Sequence, residues 1–294
     1  MLKLYEDLYK KYTLVVILGG LFVLFLTLFL TFSIILALFL CIIFIFVVAF
    51  FFNIQADKRI KVVSKHYYDC DAETYTKTYE TFYKRLKIGI TDNKELEPFV
   101  RIGLSTGYIS LGKIKEALDI LSDFNPIFKN TKISMMNKVT YLNNLIVVYR
   151  NLKQYEEAKV RLNELSEMIN YPKVDNELKY LIESAYMSNK ISLDIYENPT
   201  KENLKYAENY YKDILKLSKS KSDIVNYNYK LAYINEKLKN KKAELKYLNF
   251  VIENGRSLYI VKEAKNRIQE INNWLSLWIL FRFYTIDNNR FNIN

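Results

Sequence analysis

Hydropathy divides this chain into two unlike parts. From Thr13 to Phe52, forty consecutive positions carry no charged side chain. Beyond about residue 57, apolar residues recur every three or four positions and strand-like alternation is nearly absent, the pattern of amphipathic helices. As one helix the apolar run would reach ~60 Å, twice the ~30 Å of a bilayer core. It is therefore expected to fold as two spans, with the weakest point at Thr31-Phe32-Ser33 as the turn. Gly19 and Gly20 in the first span allow a close helix contact, or reflect only the frequency of glycine in membrane helices. The run is too long for a signal peptide and ends in Phe50-Phe51-Phe52 instead of small residues.

Lys3, Lys10 and Lys11 precede the run, and Lys58, Arg59, Lys61 and Lys65 follow it. Flanking positive charge favours the cytoplasmic side, so both ends are expected there, at a cell (inner) membrane. The rival topology is a single tilted span with the amino terminus outside. The implied organisation is a cytoplasmic segment at 1–12, a transmembrane hairpin at 13–52, and a juxtamembrane segment with a cap helix at 53–94. A helical array at 95–272 and an aromatic cap or interfacial helix with a tail at 273–294 complete it.

The polar part reads as all-α. Its helices are expected at about 72–87, capped by Asp71, then 96–111 and 114–124. Further pairs follow at 135–151 with 155–169, 177–196 with 201–218, and 222–238 with 241–253. The four prolines fall near helix starts or breaks. The second helix of each pair carries an early alanine: Ala117, Ala158, Ala207 and Ala243. Four residues later stands a large residue: Leu121, Leu162, Tyr211 and Tyr247. The small residue lets paired helices approach, and the large one fills the space beside it.

On these residues the chain resembles the tetratricopeptide repeat family, and membrane-anchored bacterial members of it in particular. Leu104, Ser105, Tyr108, Gly112, Ala117 and Leu121 occupy the family's key positions in the first unit. Leu145, Tyr149, Tyr155, Ala158, Leu162 and Leu165 do so in the second, with Lys153 where glycine is common. The turn of the fourth unit is one residue short, and Glu197 to Asn203 lengthen the loop of the third. The marker alanines are 41, 49 and 36 residues apart, against a family period of about 34. The resemblance implies a curved α-solenoid whose first helices line a concave groove that binds a protein or peptide. Thr106, Asn143, Val147, Arg150, Tyr229 and Tyr233 would stand on that face, or pack in the core. The asparagine of carboxylate-clamping members is replaced by Thr106, Val147 and Tyr233, which argues against that docking mode.

The remaining features narrow the chemistry. Lys+Arg outnumber Asp+Glu by 43 to 32, a surplus that suits an anionic surface or reflects a lysine-rich coat. Cys41 and Cys70 cannot easily meet, and one histidine, His66, leaves no zinc set and no Ser-His-Asp arrangement. The stretch Gly103 to Gly107 has neither the length nor the lysine of a phosphate loop. Lysines cluster at 216–221 and 237–246, but Glu236 and Glu244 interrupt the latter and no nucleic-acid motif occurs. No cofactor, metal or nucleic acid is expected, and no enzyme activity. The residues Trp274 to Tyr284 are expected to cap the array or lie on a membrane surface. The functional expectation is a membrane-held scaffold for a protein partner; the alternative is a structural subunit whose hairpin packs against other membrane proteins.

Overall fold

The structure is a computed structural model that describes residues 13–26, 39, 42–50, 65–66, 69–87, 97–123, 128, 132–170 and 175–273. Among them no strand occurs. Its main helices are α1 (Ala72–Lys87), α2 (Glu97–Ser110), α3 (Ile114–Ser122), α4 (Lys132–Asn151), α5 (Tyr155–Glu167), α6 (Asn176–Glu197), α7 (Lys201–Leu217), α8 (Lys221–Lys237) and α9 (Lys241–Asn254). A further helix, α10, covers 259–273.

The apolar run gives a different result from the one its hydropathy suggests. It is helical at 13–26 and at 42–50. Among the described residues no helix is long and apolar enough to cross a membrane. The transmembrane hairpin, the multi-pass inner-membrane location and the membrane as an integral partner are withdrawn on this ground. The expected turn at Thr31 and Ser33, most flanking lysines and the aromatic stretch from Trp274 lie outside the described residues. The two pieces do meet: a Cβ on Gly19 would stand 2.4 Å from Cζ of Phe44, whereas Gly20 faces open space.

Local signals explain where the helices start. The Asp71 carboxylate accepts from the Thr74 N–H at 3.0 Å, which satisfies a donor that the first turn leaves free. Asp175, Thr200, Ser220 and Asn240 cap α6, α7, α8 and α9 in the same way.

The turns inside three pairs are copies of one another. Gly112, Lys153 and Lys239 take left-handed φ values of 73°, 61° and 59°. In each turn the next residue's N–H reaches five residues back, from Lys113 to Tyr108, Gln154 to Tyr149 and Asn240 to Asn235, at 2.8–2.9 Å. The left-handed residue itself donates to the carbonyl three residues back, completing a Schellman closure. The third pair has no such turn; Asn198 to Thr200 connect it instead.

Packing follows the small residues. Ala117, Ala158 and Ala207 are wholly buried, as are Leu121 and Tyr211. The fourth pair is shifted by one position. Ala243 is only half-buried, while Glu244 and Leu248 are 2% exposed. The turn expected to be one residue short has the same length and closure as the other two, so the positions five and nine residues after the left-handed one are again buried; here they are Glu244 and Leu248, and the Glu244 carboxylate is met by Arg267 Nε at 2.7 Å. In sequence order α4 packs on both α2 and α6, and α8 on α7. This serial stacking is consistent with an α-solenoid.

The arc of helices closes on itself. Cys70 and Ala72, at the head of α1, share a core with Val225, Leu258, Val261 and Ala264 at the far end. Ser257 is the clasp: its Oγ accepts the Ala72 N–H at 2.8 Å and donates to the Cys70 carbonyl at 3.1 Å. Arg256 and Asp69 pair at 3.8 Å beside it. The Gly112 turn comes against Tyr259, whose Cγ would lie 2.9 Å from an added Cβ.

At α1 and α2, Gly103 serves close approach. A Cβ there would stand 2.0 Å from Cε1 of Tyr79, a ring only 4% exposed and held between Tyr75 and Phe99. Gly103→Ala is expected to cost ~1–3 kcal/mol through overpacking, read as a lower urea midpoint. An unchanged midpoint would show that α1 is free to shift.

Candidate functional site

The closed arc encloses a channel lined by the first helices of the pairs. One recess, about 450 Å³, is walled by Ile102, Thr106, Asn143, Asn144, Val147 and Asn226, with His66 and Tyr75 at one side. A second, about 250 Å³, is walled by Arg150, Ser188, Asn189, Asp223, Tyr227, Lys230 and Tyr259. Ile109, Ser110, Asn143, Val147, Asp223 and Asn226 border both recesses. The helical period sets this lining: on α8, positions 223, 226, 227 and 230 fall on one stripe.

Amides and hydroxyls dominate the wall. Asn144 Nδ2 bonds Ser105 Oγ at 3.0 Å and Thr106 Oγ1 at 2.8 Å, tying α4 to α2. Asn189 Nδ2 bonds Asn143 Oδ1 at 2.7 Å, tying α6 to α4. These bonds hold the amide planes in place without using all their donors and acceptors. His66 is 4% exposed and stacks on Tyr75 with ring centroids 4.4 Å apart. Burial lowers its pKa to about 4, against the pull of Asp71, so it is neutral at pH 7.

Two cations face the smaller recess. Arg150 lies over the Tyr196 ring, 4.9 Å from its centroid. Lys230 Nζ donates to Ser192 Oγ at 3.0 Å and to Tyr211 OH at 3.3 Å, and reaches Ser188 Oγ only at 3.5 Å. It also lies 4.7 Å from the Tyr211 centroid. Desolvation, and secondarily the charge of Arg150, lowers the Lys230 pKa to about 7, with Asp223 opposing. Desolvation raises the Asp223 carboxyl above its usual range.

This arrangement makes stability depend on pH. Below pH 7, Lys230 is charged both folded and unfolded, and the burial penalty is present in full. Between about 7 and 10.5 the unfolded chain holds more protons, so stability rises with pH. Each unit of difference is worth ~1.4 kcal/mol at most. Thermal melts of Lys230→Met are therefore expected to show a smaller rise than wild type between pH 7 and 9.5. Parallel curves would mean that the amine is hydrated.

The six residues expected on the concave face divide between two places. Thr106, Asn143, Val147 and Arg150 line the channel. Tyr229 and Tyr233 instead line a recess of about 280 Å³ against α10, with Glu236, Glu244, Glu263, Arg267 and Glu270. Tyr233 stacks on Tyr196 at 4.5 Å and its hydroxyl reaches the Ile195 carbonyl at 3.4 Å. Lys230, Asn226 and Asn189 were not expected there, because Ala207 and Ala243 stand at other distances from their helix starts than Ala117 and Ala158, which obscures the register. Among the described residues no group of three His, Cys, Asp or Glu is placed to hold a metal ion. Cys70 is free and buried.

No protein-family description matches the chain, and no solved structure matches it. Among curated proteins, Protein PFC0760c of Plasmodium falciparum (isolate 3D7) is 25% identical over 222 residues, which cover 70% of this chain and 6% of that protein. The chain thus corresponds to a small fraction of that relative's length, and a likeness of this degree does not show family membership.

Proposed function

We propose that this chain is a tetratricopeptide-like binding module that holds an extended segment of a partner protein in its inner channel. One observation carries this reading: a row of pinned amides, Asn143, Asn189 and Asn226, runs along a channel enclosed by four helix pairs. An extended peptide exposes a donor and an acceptor at every residue, and fixed amides pair with both whatever its sequence. The small-residue helix contacts and the repeated Schellman turns support the kinship with such repeats.

The test is selection of linear peptides from a random display library on the full-length chain, with Asn226→Trp as counter-target. The tryptophan fills the channel without disturbing a core position. Enrichment on wild type that Asn226→Trp abolishes is expected. Peptides that bind both proteins equally, or no enrichment at all, would refute capture in the channel.

A further inference from the structure

We infer that the recess between Arg150 and Lys230 is an oxyanion site that takes an acidic side chain of the bound segment. This rests on the peptide-binding reading and adds the chemistry of the segment. Both cations border the same 250 Å³ recess. Neither forms an ion pair with a described carboxylate, although Arg101, Arg161 and Arg267 elsewhere all do. Their partners are instead rings and hydroxyls: Tyr196 for Arg150, and Ser192 and Tyr211 for Lys230.

Holding two like charges at one half-buried recess is unfavourable unless an opposite charge joins them. Asp223 borders the recess, but no ion pair within 4 Å joins it to Lys230 or Arg150 among the described residues. The third donor direction of Lys230 ends on the long 3.5 Å contact to Ser188, on the recess wall. An incoming oxygen anion supplies a shorter acceptor there, and the Arg150 guanidinium supplies a planar donor set beside it. Carboxylate and phosphate oxygens both satisfy this geometry. The charged groups facing Lys230 are Arg150 from α4 and Asp223 from its own helix, with Tyr211, Tyr227 and Tyr259 as neutral neighbours. The amine's pKa of about 7 means that its grip on an anion weakens at alkaline pH.

Two measurements on the full chain decide this. First, inorganic phosphate at constant ionic strength is expected to raise the melting temperature of wild type but not of the Arg150→Gln, Lys230→Met double variant. Both substitutions remove the charge and keep an unbranched aliphatic stem, and unaltered circular dichroism would verify folding. Equal shifts in both proteins would overturn the anion site. Second, peptides selected on wild type are expected to share an Asp or Glu. Replacing it by Asn should weaken binding at least tenfold in wild type at pH 6.5 and less than threefold in the double variant. The advantage over Asn should shrink severalfold by pH 8.5. A phosphoserine version that binds more tightly than Asp would assign the site to phosphate, and a weaker one to carboxylate. Selected peptides without an acidic residue, or an equal Asn penalty in both proteins, would overturn the inference while leaving peptide capture intact. If phosphate acts but no peptide is ever selected, the anion site stands and the peptide as its source falls.

Discussion

Replacing Tyr211 by alanine is expected to lower stability by ~3–5 kcal/mol, as for other large aromatic truncations in a core. Tyr211 is wholly buried on α7 and shares a core with Ile191, Ile195, Leu231 and Ile234, so its ring ties α6 to α8. Its hydroxyl joins a shared knot, 2.8 Å from Ser192 Oγ, 3.2 Å from the Ser188 carbonyl and 3.3 Å from Lys230 Nζ. Alanine removes the ring and strips Lys230 of a partner at once. Tyr211→Phe separates the two effects: it keeps the packing and should cost only ~1–2 kcal/mol for the lost hydrogen bonds. Urea unfolding of both variants measures the split. A loss below ~1 kcal/mol for the alanine variant would mean that the third and fourth pairs are joined by something other than this residue.

The second large effect concerns closure of the arc. Ala72 is wholly buried where α1 meets the far end of the helix array. An arginine there has no carboxylate within the apolar cluster, and an unpaired buried charge costs ~3–5 kcal/mol. Opening the arc relieves that cost at the loss of the clasp and of the apolar contacts that Cys70 and Ala72 make with the far end. Ala72→Arg is therefore expected to increase the radius of gyration in small-angle scattering while the helical circular dichroism signal stays unchanged. Ser257→Ala should move the same way but less, since it removes the hydrogen bonds to Ala72 and Cys70, each worth about 1 kcal/mol. A compact Ala72→Arg variant with native stability would contradict the closed arrangement.

How much of this was legible in the sequence differs by level. Helix limits were readable because their signals are local. Asp71 caps α1 within three residues, whereas the turn at Lys239, expected one residue short, has the same length as those at Gly112 and Lys153. The left-handed Lys153 was readable as a glycine substitute from its place in the repeat. Buried alanines at 117, 158 and 207 were readable from spacing, but Ala243 was not. Glu244 stands in the alanine's place because Arg267, 23 residues away on another helix, meets its carboxylate.

The closure between Ala72 and Ser257 joins residues 185 apart, and no local pattern reports on it. For the same reason Tyr229 and Tyr233 were expected in the channel, whereas α8 turns Asn226 and Lys230 toward it. The apolar run was misjudged for another reason. Hydropathy counts apolar residues whatever the backbone does, and among the described residues no helix is long and apolar enough to cross a membrane.

The central claim is that the inner channel is where a partner segment lies. The most direct measurement is photo-crosslinking of a selected peptide, carrying the reactive group at its centre, to the full chain, with attachment sites mapped by mass spectrometry. Attachment to Thr106, Asn143, Asn189 or Asn226 is the predicted result. Attachment to outward-facing residues such as Lys115, Glu157, Lys205 or Lys246, all exposed on the second helices of their pairs, would contradict it.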